Sequence, residues 1–264
     1  DIGDSTAVVN GIPPAVSDNC NLTQINWAVS GVTTGSGSND VSGLTFNLGL
    51  TTVWYYALDG AGNIDSCSFT VRVTDNENPQ INCPADTSVF NDQGYCSAVV
   101  DDLSPVTWDN HAVVIQTWRM EGATLKNSPS TGINDVSKDT FNVGTTTVYY
   151  YIEDASGNAD SCNFNVAVID NEAPVVIVRD ITIFLDPDTG GVSITADSID
   201  NGSGDNCGID TLYLDRYDFN CTNIGDNTVT LTVEDIHGNS STSNATVTVQ
   251  YEVLPEITIV PVND

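Results

Sequence analysis

Positive charge is what this sequence has least of. Six lysines and arginines stand against 36 aspartates and glutamates in 264 residues, a formal net charge of −30. A surface of that sign repels nucleic-acid phosphates and anionic lipid, so neither is an expected partner. It suits divalent cations, which carboxylate and carbonyl oxygens hold. No run of about 18 apolar residues occurs, so no membrane-spanning helix and no direct membrane insertion are expected. Histidine is limited to His111 and His237, both in turn-like stretches. There is no Gly-x-Ser-x-Gly elbow, no His-Glu-x-x-His motif and no phosphate-cradling glycine loop, so no catalytic residue is assigned and a non-enzyme is expected. The seven cysteines include no Cys-x-x-Cys pair and no zinc-like spacing with histidine. In a Thr-, Asn- and Gly-rich chain of strand character they point to disulfides and an oxidising, extracellular setting. Residue 1 opens an acidic, polar stretch rather than a signal peptide, as in a mature segment or a window of a longer chain.

What is present is a repeat. Asp154-Ala155-Ser156-Gly157-Asn158 follows the aromatic run Val148-Tyr149-Tyr150-Tyr151-Ile152. The same order occurs as Asp59-Gly60-Ala61-Gly62-Asn63 after Val53-Trp54-Tyr55-Tyr56, and as Asp235-Ile236-His237-Gly238-Asn239 after Val229-Thr230-Leu231-Thr232-Val233. Each copy predicts a strand, a tight turn and a second alternating strand, and three copies make a tandem array. Two Asp-rich joints divide the chain: Asp75-Asn76-Glu77-Asn78-Pro79 and Asp170-Asn171-Glu172-Ala173-Pro174. Short strands with turn signals between them, and no helical periodicity of useful length, predict an all-β chain. Expected strands include Thr6 to Val9, Gln24 to Val29, Ile81 to Phe90 and Ala112 to Met120, with a Gly/Ser-rich loop from Gly31 to Asn39.

The most complete repeat carries Pro79-x-Ile81-x-Cys83-Pro84, Asp109-Asn110, Phe141-Asn142-Val143-Gly144-Thr145-Thr146-Thr147-Val148, the Asp154 turn, then Cys162-x-Phe164-x-Val166. That order resembles the HYR (hyalin repeat) domain, almost throughout in the second repeat, from the second strand onward in the first, and divergently in the third. The resemblance implies three tandem immunoglobulin-like β-sandwich domains arranged end to end, extracellular and associated with adhesion, similar to large repetitive bacterial surface adhesins, gliding species included. The expected divisions are 1–74 (lacking a first strand), 75–169 (complete), 170–250 (divergent) and 251–264 (a linker and the first strand of a following repeat).

In such a sandwich the loop between the second and third strands and the last hairpin lie at one end, beside the incoming linker. Carboxylates and amide oxygens from three segments then converge, as a Ca2+ ion with 6–8 oxygen ligands requires. The expected ligands at the first joint are Asp75, Asn76, Glu77, Asp109, Asn110, Asp154 and Asn158. At the second they are Asp170, Asn171, Glu172, Asp205, Asn206, Asp235 and Asn239, and an isolated site in the first repeat would use Asp18 and Asp59. The competing role of these residues is turn chemistry, because Asp and Asn bond locally to backbone N–H groups and Gly-Asn suits positive φ. After the third repeat Tyr251-Glu252-Val253-Leu254 replaces the joint motif, so no ion is expected there. The disulfides expected are Cys20 with Cys67, Cys207 with Cys221, and Cys83 with Cys162, the alternative being Cys83 with Cys96.

The function implied is a stalk or spacer of an extracellular adhesin or filament, stiffened by disulfides and calcium, with neighbouring repeats as partners. Two alternatives stand beside it. One is a module binding surface glycans or extracellular proteins, because Trp54-Tyr55-Tyr56 and Tyr149-Tyr150-Tyr151 must each turn at least one ring outward. The other is a donor-strand-exchanged fibre, in which the tail Pro255 to Val262 fills the place of the strand missing from the first repeat.

Overall fold

Alternation of period two decides which side chains meet in this chain. On the strand Gly144–Asp154, Val148, Tyr150, Ile152 and Asp154 are buried while Tyr151 faces out. On Gly225–Asp235 the buried set is Val229, Leu231, Val233 and Asp235. The computed structural model, which describes residues 3–252, builds three separate cores from such strands. One centres on Phe46, Val53 and Tyr55, one on Phe141, Tyr150 and Phe164, and one on Ile199, Leu231 and Val247.

Each core lies between a larger sheet and smaller strand pairs, the two-layer arrangement of an immunoglobulin-like sandwich. The larger sheet of the second unit runs Lys126–Asn127, Val113–Gly122, Gly144–Asp154, Ala159–Ile169, Thr87–Phe90. That of the third runs Ile181–Phe184, Ser240–Gln250, Gly225–Asp235, Ile209–Leu214. In both, a strand from the start of the unit pairs in parallel with the last strand. The first unit runs Gly35–Ser38, Leu22–Gly31, Gly49–Asp59, Ile64–Val73, and there the last strand is the sheet edge. Its Phe69, Val71 and Val73 are correspondingly only partly buried, whereas Phe164, Val166 and Val168 are buried.

Four expectations need correction. The segment from Ile81 to Phe90 is not one strand. Gln80–Asn82 pairs antiparallel with Val106–Trp108, and Thr87–Phe90 joins the other sheet. The break falls at Cys83-Pro84, where proline has no N–H to give a ladder, and Asp86 beyond it accepts from Asn165 N at 2.8 Å. The Gly31 to Asn39 loop contains the strand Gly35–Ser38, paired with Leu22–Gly31. Gly37 packs so closely on Trp27 that a Cβ would come 2.4 Å from its ring, so only glycine lets this edge strand lie down. Cys20 and Cys67 are not bonded; both are free and exposed. Cys207 bonds Cys96 of the preceding unit, which leaves Cys221 free. Pairing within each repeat failed here because the joint folds the Cys96 hairpin of one unit against the Asp205 turn of the next. Cys83 bonds Cys162 inside the second unit. The expected tail strand from Pro255 to Val262 lies outside the described residues.

Candidate cation-binding joints

The joint is built from one hairpin used three times. Ser156 N and Asn158 N both donate to Asp154 Oδ1 at 2.8 Å, and Asn158 Nδ2 donates to Oδ2 at 2.8 Å. Asp235 accepts the same three bonds from His237 N, Asn239 N and Asn239 Nδ2, and Asp59 accepts them from Ala61 N, Asn63 N and Asn63 Nδ2. The fourth residue is always glycine at positive φ, 90° at Gly62, 89° at Gly157 and 88° at Gly238, which a side chain would strain. The expected turn role is therefore real. Burial pulls the Asp154 carboxyl upward, but the Asn158, Ser156 and Gly157 donors outweigh it and leave the pKa below the usual carboxylate range. Asp235 is lowered by the same balance, burial against Asn239 and His237.

The linker closes over this hairpin. Asn158 Nδ2 reaches Asp75 O at 3.3 Å, and Asn239 Nδ2 reaches Asp170 O at 3.4 Å. A second turn comes from the other side, where His111 N and Ala112 N each donate to Asp109 Oδ2 at 3.0 Å. Asp75, Asp109 and Asp154 thus offer carboxylate oxygens that all lie within 4.8 Å of one another. Asp75 Oδ2 and Asn110 Oδ1 are buried there with no hydrogen-bond partner. Asn110 Nδ2 donates to Glu77 Oε2 at 3.2 Å and to Asp75 Oδ1 at 3.5 Å.

Asp170, Asp205 and Asp235 converge within the same 4.8 Å at the second joint. Its chemistry differs in one respect: His237 Nδ1 lies 3.0 Å from Asp170 Oδ2, the oxygen corresponding to the unpartnered Asp75 Oδ2. Asn206 Nδ2 donates back to Tyr95 O of the preceding unit at 2.9 Å, beside the Cys96–Cys207 bond.

Not every expected ligand joins these clusters. Asn76 and Asn171 alternate outward along their linkers and are exposed. Glu77 and Glu172 reach back to the previous unit: Gly3 N donates to the Glu77 carboxylate at 3.0 Å, and Gly94 N to that of Glu172 at 2.9 Å. This clasp was not expected, and its signal was the Asp-x-Glu spacing shared by both joints. Asp18 and Asp59 each hold their own turn, with no third carboxylate beside them among the described residues. Of the outward rings, Trp54, Tyr56 and Tyr151 are exposed, while the Arg119 guanidinium covers Tyr149 at 4.1 Å.

Immunoglobulin-like units strung on Asp-rich joints, with one disulfide inside a unit and one between units, define an extracellular, adhesin-like repeat protein. The chain belongs to the HYR domain family, whose pattern residues 1–73 and 74–168 each match. It is 29% identical over 233 residues to hyalin of Strongylocentrotus purpuratus, covering 83% of this chain and 18% of that protein. It is 29% identical over 255 residues to hyalin of Lytechinus variegatus, covering 90% of this chain and 45% of that protein. The chain thus spans less than half the length of either hyalin. A serine-rich adhesin for platelets of Staphylococcus aureus is 28% identical over 172 residues, 62% of this chain and 7% of that protein. Among solved structures, protocadherin gamma B2 extracellular cadherin domains 1–5 align with a TM-score of 0.33 at 14% identity, over 86% of this chain and 53% of that one.

Proposed function

We propose that this chain is a spacer segment of an extracellular adhesive repeat array, and that its joints bind calcium and are stiffened by it. One observation carries the proposal: three carboxylates from three separate segments converge within 4.8 Å, beside two buried oxygens that nothing satisfies. Two unit charges at that separation repel by about 3 kcal/mol at an effective dielectric of 20. A buried acceptor left without a partner costs about 1–3 kcal/mol. A hard divalent cation removes both penalties at once, and oxygen donors of this kind are its preferred ligands. At the first joint Asp75, Asn110, Asp109 and Asp154 would hold it. At the second Asp170, Asp205 and Asp235 would do so, with His237 against Asp170. Because the ligands come from the linker and from both end loops of one unit, the ion fixes the linker's exit. The glutamate clasp fixes the same linker to the unit before it. A rod of such units holds an adhesive element away from its anchor.

Thermal unfolding in millimolar calcium and in chelator, at fixed ionic strength, tests this. An ion that binds only the folded state stabilises by RT ln(1 + [L]/Kd), about 2.7 kcal/mol at one hundred times Kd. The expected result is a higher melting temperature in calcium, diminished in Asp75→Asn, whose side chain keeps the size but not the charge. Identical melting in calcium and chelator would sink the proposal.

A further inference from the structure

The outer face of the larger sheet in the second unit carries a cleft that neither the core nor the joints use. Strand alternation brings two rows of side chains to it. Thr117, Tyr151 and Ser161 pair across three strands in one row, and Arg119, Tyr149 and Asn163 in the next. Ser128, Pro129 and Ser130 line it from the edge of the sheet, and its volume is about 540 Å³. Small-molecule sites occupy about 300–1,000 Å³.

Bonds that need no ligand hold the cleft in shape. Trp118 N donates to Ser128 Oγ and Ser128 N to Trp118 O, both at 2.9 Å. Gln116 is buried; its backbone N–H donates to Gly132 O and its Nε2 to Asn134 O, both at 2.9 Å. Asn134 Nδ2 donates back to Gln116 O at 3.0 Å. The wall is thus pinned to its strand at both ends. On the floor, the Tyr151 hydroxyl donates to Glu153 Oε2 at 2.8 Å, which fixes an exposed ring. The Arg119 guanidinium lies over Tyr149 and pairs with Glu121. A fixed floor and a fixed wall leave little to be ordered on binding.

The lining defines what such a site takes. The ring of Tyr151 is an apolar surface, and around it stand hydroxyl, amide and carboxylate groups from Thr117, Ser130, Ser161, Asn163 and Glu153. A pyranose is divided in the same way, with C–H groups on its ring faces and hydroxyls at its rim. The charges lining the cleft are Arg119 and Glu153, one of each sign, in a chain of net charge −30. That surface repels an anionic ligand, and its carboxylate clusters draw a cationic one elsewhere. The other units lack the combination. In the first, Trp54 and Tyr56 hold the places of Tyr149 and Tyr151, but the strand Gly35–Ser38 continues the sheet where the wall stands. In the third, Thr230 and Thr232 hold those places, and the exposed Tyr213 lies on the edge strand.

We infer that this cleft binds a neutral oligosaccharide, with one sugar ring stacked on Tyr151 and its hydroxyls bonded to Glu153 and Asn163. The inference goes beyond the spacer reading and does not rest on it, because every lining residue belongs to the second unit and none is a ligand of the joints. The segment then makes an adhesive contact of its own.

The test is saturation-transfer NMR and titration calorimetry on the 264-residue chain in calcium-containing buffer. The probes are hexasaccharides of glucose, mannose, galactose and N-acetylglucosamine. An alginate oligomer serves as the anionic comparison and a proline-rich peptide as the apolar one. The expected result is saturable binding of at least one neutral hexasaccharide. Tyr151→Ala should weaken it roughly tenfold, the scale of one aromatic contact. Tyr151→Phe, which keeps the ring, should retain most of the affinity, and Tyr213→Ala all of it, with the melting temperature unchanged in each variant. Four outcomes would each overturn the inference: unchanged binding in Tyr151→Ala, equal loss in Tyr151→Phe, tighter binding of the alginate or the peptide, or no binding of any neutral probe at millimolar concentration.

Discussion

Replacing Tyr150 by phenylalanine should unlatch the second unit while leaving its apolar core intact. The ring is buried against Phe164, and its hydroxyl serves two backbone groups at once. Val136 N donates to it at 3.0 Å, and it donates to Leu103 O at 3.2 Å. Burial raises the phenol pKa well above its ordinary value, so the O–H stays protonated and remains a donor throughout the physiological range. Phenylalanine fills the same volume but leaves the Val136 N–H with no acceptor. Val136 is fully buried, so water does not replace the lost oxygen. An orphaned buried donor costs about 1–3 kcal/mol, and loss of the Leu103 bond adds about 1 kcal/mol. The expected destabilisation is thus about 2–4 kcal/mol. Native-state hydrogen exchange reads it unit by unit, which matters because three units do not unfold as two states. Amides of Val148 and Phe164 should exchange roughly 30- to 700-fold faster, since about 1.4 kcal/mol is a factor of ten. The third unit is an internal control: Leu231 occupies the place of Tyr150, so its amides should not respond. A loss below about 0.5 kcal/mol, or equal acceleration in both units, would refute the latch.

Two further outcomes follow from the joints. Asp154 and Asp235 have pKa values lowered by their hairpin donors. A depressed folded-state carboxyl contributes stability above the unfolded value, about 3.9, and loses it as pH falls through the lower folded value. The melting temperature should therefore fall below about pH 4. Asp154→Asn should be less stable at neutral pH and show a shallower acid slope, as a melting series from neutral pH down to strong acid would record. Separately, the double variant Cys96→Ser, Cys207→Ser should loosen the second joint without touching either core. Amides of Gly94 and Cys207 (serine in the variant) should lose protection, while those of Val229 and Val247 keep theirs. Equal loss in the core would show that the bond supports the unit rather than the joint.

The repeat was legible because its signals are local. Asp-x-x-Gly-Asn specifies its own turn, and the apolar alternation before it specifies which face is buried, so both survive without knowledge of the rest of the chain. The split of the first strand at Cys83-Pro84 was missed although proline marked it, and so was the strand Gly35–Ser38, whose glycines and serines read as a loop. The other misses were mainly pairings that depend on how one unit meets another. Cys207 had Cys221 as its only neighbour within the repeat, yet its partner Cys96 lies 111 residues back in the chain. Glu77 and Glu172 read as cation ligands because they stand beside Asp75 and Asp170. Their carboxylates instead find Gly3 and Gly94 of the preceding unit. Asn76 and Asn171 were drawn in by the same proximity in sequence, but extended backbone turns successive side chains to opposite sides.

The two joints show how one frame takes different fastenings. Both use the same hairpin, the same linker contact from asparagine and the same backward glutamate clasp. At the first joint the position after the Asp-Asn turn is His111, no disulfide forms, and Asp75 Oδ2 and Asn110 Oδ1 are left without partners. At the second joint Cys207 takes the place of His111 and bonds the previous unit. There His237 satisfies the linker aspartate, and Asn206 reaches Tyr95 O. The unmet need for a ligand is therefore concentrated at the joint that lacks a covalent tie. The ion proposed for the first joint would do by coordination the mechanical work that the disulfide is placed to do at the second. Chelator should then loosen the first joint more than the second, and reductant the second more than the first.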